Sequence, residues 1–417
     1  MRKFLLSNLL CLFLFFTIFP QTAQNQFALK LVAKFNTDIG DYGQIGFSPD
    51  GKYFFALSYK KNLQVWETEN QKLLYVINGR FEYGAKFSLN GNWLAVFSEK
   101  EGQIVNIETG KILFNLNTYK EKIEFLNWSP TSQRFAVGTE NFTVDVWNIE
   151  SGKIENSFKI HEKKKGFWAI DDAALFTITA EFSKDEKRLL TNCNDQEAEY
   201  FDLENGKLIY AFSNSYNFIR NAKFSPDGKW IMTRSSEETV LWNAATNKFI
   251  KSFLGYISPS FSLDSRFLGL VKDSAQNITN ELFDLSDQKI YLSLQKDVKI
   301  YGTIDRWSPD SKTFVTTGEN GYIWNANTGN PINTFKNRVT YSFLDGYSTE
   351  DFYEYHPNGK ILLVSNDKEL RFFSTMRNEQ LLSFPQAKRP AVWSPNGKFL
   401  LAQAKERGKI ALWKVSE

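Results

Sequence analysis

Phe224-Ser225-Pro226-Asp227-Gly228-Lys229-Trp230 is a stretch that the chain keeps rewriting. It recurs as Phe47-Ser48-Pro49-Asp50-Gly51-Lys52, Phe87-Ser88-Leu89-Asn90-Gly91, Trp128-Ser129-Pro130 and Phe182-Ser183-Lys184-Asp185. It returns at Phe261-Ser262-Leu263-Asp264, Trp307-Ser308-Pro309-Asp310, Tyr355-His356-Pro357-Asn358-Gly359 and Trp393-Ser394-Pro395-Asn396-Gly397, nine copies in all. Each copy reads as an aromatic that ends a strand, followed by a turn. Pro presets the turn's φ near about −65°, Asp or Asn caps its backbone, and Gly supplies a left-handed position.

A second landmark follows each copy. It reads Val65-Trp66-Glu67, Val105-Asn106-Ile107, Val146-Trp147-Asn148, Tyr200-Phe201-Asp202 and Leu241-Trp242-Asn243, then Leu282-Phe283-Asp284, Ile323-Trp324-Asn325, Phe372-Phe373-Ser374 and Leu412-Trp413-Lys414. Most are followed by a polar turn and a short apolar strand, as in Asn205-Gly206-Lys207-Leu208-Ile209-Tyr210-Ala211-Phe212. One unit is therefore four short strands and three turns on a period of roughly 40–45 residues. A single unit cannot bury both faces of its small twisted sheet. Stacking units around an axis does so, and the expected fold is all-β, a single closed β-propeller.

These repeats resemble WD40 repeats, with the Trp-Asp dipeptide softened to Trp-Asn, Trp-Glu, Phe-Asp or Trp-Lys. The resemblance runs from about residue 27 to the end and rests on nine phased copies. It implies four-stranded blades. One feature departs from the family: the Gly-His dipeptide that opens a repeat is missing, and the chain holds only His161 and His356. The buried His–Asp network common in eukaryotic members cannot recur here, so partners of intracellular members do not transfer.

Nine units predict nine blades, or eight if the irregular unit around Phe261 does not form a full one. The period-two stretch Phe27 to Phe35 precedes the first turn, where an outermost strand would sit, and the last unit stops after its third strand. Residues 27–35 are therefore expected to pair beside Ile410–Lys414, closing the ring and covering an open sheet edge. Ahead of this, Met1-Arg2-Lys3, the apolar run Phe4 to Phe19, Pro20 and Gln21-Thr22-Ala23-Gln24 have the layout of a secretory signal peptide. The apolar run is short of the roughly 20 residues a spanning helix needs. The expected organisation is a signal peptide at 1–23, cleaved after Ala23 or Gln24, and a propeller at 27–417, with a retained membrane anchor as the minority alternative. The protein is then secreted or periplasmic, a monomer, and without stable membrane insertion after cleavage.

Cys11 leaves with such a leader, and Cys193 alone permits no intramolecular disulfide. Stability must come from burial, which one closed ring of this length can supply. Losing Arg2 and Lys3 takes the formal charge from +3 to +1, and a near-neutral surface argues against nucleic acid. Asn141-Phe142-Thr143 and Asn277-Ile278-Thr279 are glycosylation acceptors only in a eukaryotic source.

Function on such a scaffold lies in its loops and channel. The longest unit carries Lys159 to Asp172, including His161, Lys163, Lys164, Lys165, Phe167 and Trp168. The next carries Arg338 to Tyr353, including Tyr341, Phe343, Tyr347, Phe352 and Tyr353. Both fall between an outermost strand and the next innermost one, on the face that the family calls top. A third extension, Lys272 to Asn277, joins middle strands and opens on the same face. Aromatic residues beside charge are common in interface hot spots, so the partner-binding candidates are Lys163, Lys164, Lys165, Trp168, Phe343, Tyr347, Phe352 and Tyr353. The competing reading is that the apolar members only pack long loops onto the ring.

The residue before each aromatic landmark offers a second candidate site, along the channel: Gly46, Lys86, Asn127, Glu181, Lys223, Ser260, Arg306, Glu354 and Val392. Lys86, Lys223 and Arg306 against Glu181 and Glu354 form either a solvated belt of mutual ion pairs or a seat for a polar ligand. His356 replaces a turn serine, and His161 is a lone loop histidine with Asp171 and Asp172 downstream. No spacing supports zinc, and there is no nucleophile elbow, phosphate loop or dinucleotide fingerprint. No catalytic residue, metal or cofactor is expected. The expectation is a non-catalytic protein-binding scaffold. The alternative is a propeller hydrolase or lyase with a polar or calcium site at the channel mouth, for which Asn127, Glu181, Asp305 and Glu354 are the available ligands.

Overall fold

The computed structural model describes residues 27–40, 43–58, 62–81, 84–117, 119–160, 178–193, 197–214, 218–274, 277–294, 304–317, 320–337, 339–342, 346–349 and 351–416. They form nine four-stranded antiparallel sheets and one extra two-stranded hairpin. Eight sheets take their strands in chain order, the first being Gln44–Phe47, Tyr53–Leu57, Asn62–Glu67 and Leu73–Asn78. The unit around Phe261 is a full blade, Tyr256–Phe261, Phe267–Ser274, Asn277–Asp284 and Lys289–Ser293, which settles nine over eight. Among the described residues no helix is long and apolar enough to cross a membrane.

The ninth sheet takes Ala387–Trp393, Phe399–Ala404 and Gly408–Ser416 from one end of the chain and Ala28–Ile39 from the other. The closing pair is antiparallel, with Leu31 opposite Trp413, Ala33 opposite Leu412 and Phe35 opposite Ile410. The strand runs four residues beyond the expected 27–35, to Ile39 opposite Gly408. Phe35 fixes it to the first blade, its ring 5.2 Å from Phe54 and 5.3 Å from Trp66.

Each innermost strand ends on the predicted aromatic, from Phe47 to Trp393. The turn that follows closes on its serine and acid. In the first blade the Ser48 hydroxyl donates to Asp50 Oδ1 at 2.6 Å and accepts from the Tyr53 N–H at 3.0 Å. Asp50 Oδ1 also accepts from the Lys52 N–H at 3.0 Å. The pattern repeats at Ser88 with Asn90, Ser225 with Asp227, Ser308 with Asp310 and Ser394 with Asn396. Burial raises the Asp50 pKa, but the Ser48 hydroxyl and Lys52 outweigh it and hold the carboxyl below its ordinary value.

The second landmark stacks across the sheet on the second residue of the second strand. Phe54 faces Trp66 at 5.2 Å and Phe135 faces Trp147 at 6.0 Å, both pairs in register. The polar residue after the landmark is an acceptor for the next turn: Asn106 Oδ1 takes the Thr109 N–H and Asp202 Oδ1 the Glu204 N–H. Asn and Asp supply that acceptor equally, which is why the softened dipeptide still folds. Where histidine is missing, hydroxyls satisfy three of the landmark indoles. Trp242 and Trp324 donate to Thr233 and Thr316 at 2.9 and 2.8 Å, and Trp147 to the Tyr119 hydroxyl at 2.7 Å.

The core lies between blades. Middle strands such as Ile361–Ser365 are buried along their whole length because both faces meet a neighbouring blade. Outermost strands such as Lys153–Lys159 expose most residues. Phe55, Leu57 and Val65 of the first blade pack with Leu94, Val96 and Val105 of the second in one cluster. Cys193 is buried in the equivalent seam further on, its Sγ facing the Ile160 carbonyl at 3.8 Å.

Candidate functional site

Antiparallel alternation decides which connections share an end of the ring. The turn after an innermost strand and the turn between the third and fourth strands lie at one end. The link between the second and third strands and the link from one blade to the next lie at the other, the top. The Arg338–Tyr353 insertion and the Lys272–Asn277 extension therefore open at the top, and the strands Lys153–Lys159 and Thr179–Phe182 end and begin there. The extension is not a loop: Phe267–Ser274 and Asn277–Asp284 pair up to Ser274 opposite Asn277, so it is a lengthened hairpin. Its polar sequence hid two strands that have outgrown the sheet.

Between Pro331–Lys336 and Phe352–Tyr355 the chain inserts the extra hairpin, Val339–Ser342 paired with Gly346–Thr349. Tyr347 lies on its second strand, opposite Tyr341. Phe343 falls outside the described residues, as do Lys163, Lys164, Lys165 and Trp168. The foot of this insertion is held by Asp351, buried, which pairs with Arg371 at 3.0 Å and accepts from Asn366 Nδ2 at 2.7 Å. Arg371 Nη1 donates to the Lys336 carbonyl at 2.7 Å, so both ends of the insertion are tied to one arginine.

Phe352 and Tyr353 part company at this point, since neighbouring strand residues face opposite sides. Phe352 is 58% exposed at the top, with the Arg389 guanidinium 4.9 Å from its ring centre. Arg389 is forked onto Asp367 at 2.5 and 3.1 Å. Tyr353 is buried at 3% and packs with Phe335 and Phe373, so its ring belongs to the core and is not offered to a partner. Arg389 and Asp367 escaped sequence reasoning because neither lies in an insertion. The available signal was topological: the start of an innermost strand and a link between second and third strands meet at the top of adjacent blades.

The channel positions do sit on innermost strands, which touch one another around the axis. They act across blade seams. Lys86 Nζ donates to Asn127 Oδ1 at 2.5 Å, and Asn127 Nδ2 to the Ala180 carbonyl at 2.8 Å, linking the second, third and fourth blades. Glu181 Oε2 accepts the Phe224 N–H at 3.1 Å, and Glu354 Oε1 the Trp393 N–H at 3.4 Å. The expected belt of mutual ion pairs is in these cases a set of staples from side chain to the next blade. Burial pushes Glu354 up to about 7 against the opposing pull of the Trp393 N–H and Arg306. Burial likewise raises Glu181 despite the Phe224 N–H and Lys223, and lowers Lys86. Lys223 and Arg306 are exposed on the channel wall.

Three of the four residues available to calcium, Asn127, Glu181 and Glu354, are thus engaged in seams, and the Asp305 side chain lies outside the described residues. Among the described residues no group of three His, Cys, Asp or Glu could hold a metal ion. His161 is not among the described residues. His356 is buried in its turn, its Nδ1 accepting from the Asn358 N–H and its Nε2 2.9 Å from the Gly397 carbonyl. That pattern makes Nε2 the protonated nitrogen and the residue a structural substitute for serine.

No family model matches the chain. It is 25% identical over 299 residues to human apoptotic protease-activating factor 1, covering 68% of this chain and 22% of that protein. It is 26% identical over 167 residues to pre-mRNA-processing factor 19 of Oryza sativa subsp. japonica, covering 38% and 30% respectively. It is 22% identical over 194 residues to WD repeat-containing protein SL1-17 of Schistosoma mansoni, covering 45% and 60%. The chain thus spans less than a third of the first two relatives. Among solved structures it resembles the computationally designed Ika8 protein, with a TM-score of 0.54 at 14% identity over 79% of this chain and 95% of that one. That likeness is one of fold alone.

Proposed function

We propose that this chain, a divergent WD40-type propeller by its repeats, its nine blades and its WD-repeat relatives, is a non-catalytic scaffold that binds a protein partner through its top face. The observation that carries the reading is the exposed Phe352 under Arg389, standing at the foot of the Arg338–Tyr353 insertion. An aromatic ring and an arginine held in place by Asp367 need little ordering on binding, and both residue types are enriched at interface cores. The rigid ring displays them, and the basic stretch Lys163 to Lys165 adds charge that steers an acidic partner. The leader-like Met1 to Gln24 supports export, so the partner is sought outside the cytoplasm.

The test is capture of partners from a native extracytoplasmic extract, wild type beside variants whose melting is first shown to be unchanged. One variant lacks residues 161–172 and 338–350, and keeps Asp351 because Arg371 depends on it. Phe352→Ala and Arg389→Ala are the point variants, each expected to weaken the partner about tenfold or more. The triple change of Lys163, Lys164 and Lys165 to Gln should lower the salt dependence of binding. Equal capture by wild type and all variants would move the site away from the top face. A mature protein whose N-terminus, read by mass, still contains Met1 to Phe19 would replace the secreted form with the membrane-anchored alternative.

A further inference from the structure

A cavity of about 280 Å³ opens on the channel wall where the fifth, sixth and seventh blades meet, lined by Asn221, Lys223, Met232, Arg234, Ser258, Pro259, Ser260 and Ile304. Asn221 and Arg234 lie directly opposite each other in register, and Lys223 is opposite Met232, so their side chains share one face. From the sixth blade come Ser258 and Ser260. The ladder is irregular between Ile257 and Ser260, and Ser258 has φ +52°, so this edge bends away from regular pairing. Asn221 and Ile304 start innermost strands and Arg234 ends a second strand, at the top end of the channel, while Met232, Lys223 and Ser260 lie further down its wall.

Two polar atoms of the lining are buried without a partner, and they belong to residues that face each other. Arg234 Nε is buried without a hydrogen-bond partner, and Asn221 Oδ1 opposite it is buried without a donor. Burial, followed by the charge of Arg220, holds the Arg234 guanidinium below its ordinary value. Glu181 accepts the Phe224 N–H and is drawn to Lys223, whereas the charge felt by Arg234 is that of Arg220, of its own sign. Among the described residues no carboxylate is paired with Arg220 or Arg234. A buried donor on a cation without an acceptor is costly, and folded proteins keep such groups where something else completes them. An anion would do so, taking hydrogen bonds from Arg234 and Lys223, from the two serine hydroxyls and, with its amide turned over, from Asn221.

We propose that this cavity binds one compact anionic group, a phosphate or a carboxylate. Its volume is below the roughly 300–1,000 Å³ of ordinary small-molecule pockets, so it admits a head group and little more. The group comes either as a free anion or on an acidic side chain presented at the top of the ring. The proposal is independent of the protein-binding reading, because an anion can be titrated without a partner.

Calorimetric titration of the protein at low ionic strength with inorganic phosphate, with acetate and with a hexaglutamate peptide tests it. Wild type is expected to bind at one saturable site. Arg234→Gln and Lys223→Gln should each weaken that binding about tenfold or more, while Lys52→Gln, on the opposite end of the ring, leaves it unchanged. Binding of phosphate or acetate with this pattern supports the free anion, and binding of hexaglutamate alone with this pattern supports the acidic side chain. Absence of saturable binding to all three probes, or binding unaffected by both substitutions, overturns the proposal. Thermal melting gives a second readout should Arg234→Gln fold poorly. Phosphate should raise the melting temperature of wild type and not that of Lys223→Gln, whose exposed side chain is dispensable for packing. Equal shifts in both proteins would count against the site.

Discussion

At the left-handed position of the turn after each innermost strand, five blades carry glycine and four do not. Gly51, Gly91, Gly228, Gly359 and Gly397 have φ between +70 and +78°, whereas Ser132, Glu186, Ser265 and Ser311 have φ between +56 and +63°. Each exception reaches back to the turn of the preceding blade. Ser132 Oγ accepts the Asn90 N–H at 3.1 Å, Ser265 Oγ the Asp227 N–H at 2.9 Å and Ser311 Oγ the Asp264 N–H at 3.0 Å. The Glu186 carboxylate accepts the Thr131 N–H and pairs with Arg134 at 3.3 Å. The side chain repays backbone strain with a bond between blades. Ser311→Ala keeps the strain and loses the bond, so it should destabilise by about 1–2 kcal/mol. Ser311→Gly loses both and should stay within about 0.5 kcal/mol of wild type, since glycine meets no left-handed penalty. Urea unfolding midpoints decide, and equal losses in the two variants would refute the pairing of strain with bond.

Glu354 gives a second prediction at this scale. Its folded pKa of about 7 lies above the ordinary 4.5, so the folded state holds more protons between those values. Stability from this group is therefore full below pH 4.5 and falls as pH rises through 7. Glu354→Gln, which keeps an acceptor for the Trp393 N–H, should flatten that slope and stabilise by roughly 1–2 kcal/mol at pH 8. Thermal melts from pH 4 to pH 8 read the difference, and parallel profiles would show that Glu354 does not titrate in this range. The turn acids have the opposite sign. Asp227 and Asp310 sit below their ordinary 3.8, so their contribution is lost only as pH falls beneath it.

At the scale of elements, the turns and aromatic landmarks were legible because each rests on local chemistry: a serine and an acid two residues apart, an aromatic before them, a glycine after. Ring closure was legible from a mismatch between the two ends of the chain. The Lys272–Asn277 hairpin was not, since polar strands outside the sheet carry no burial pattern. Tyr353 was mistaken for a loop residue because the run before it is aromatic and polar throughout, and only the pairing of Phe352 with Ser365 sets its phase. The channel staples were beyond reach for a different reason. A carboxylate bonded to backbone one blade away leaves no mark at the receiving residue. The closing strand itself makes a sharp prediction. A chain beginning at residue 41 lacks Ala28–Ile39 and exposes the edge of Gly408–Ser416 together with the Phe35 site on Phe54 and Trp66. It should elute as soluble aggregate or unfold at least about 10 °C lower. A monodisperse monomer of unchanged melting temperature would mean that the ring closes without it.

At the scale of the molecule, nine blades set a wide circle of similar seams, and the sites differ because the seams differ. The seam of the eighth and ninth blades presents Phe352, Arg389 and Asp367, while those of the fifth to seventh hold the cationic cavity. Nothing in the repeat distinguishes these places, which is why function was far less legible than fold. What marks them is departure from the repeat, an exposed ring here and a buried guanidinium nitrogen without a partner there.

The closing pair carries one more consequence, and it concerns force. Ala28 lies opposite Ser416, so the two described ends of the chain leave the ring side by side at the foot of one antiparallel ladder, away from the top face. A tether pulling on both would load that ladder from its end, and its bonds would yield one after another instead of sharing the strain. The same strand that closes the ring is a zipper under tension. An object hung from either end leaves the opposite face free.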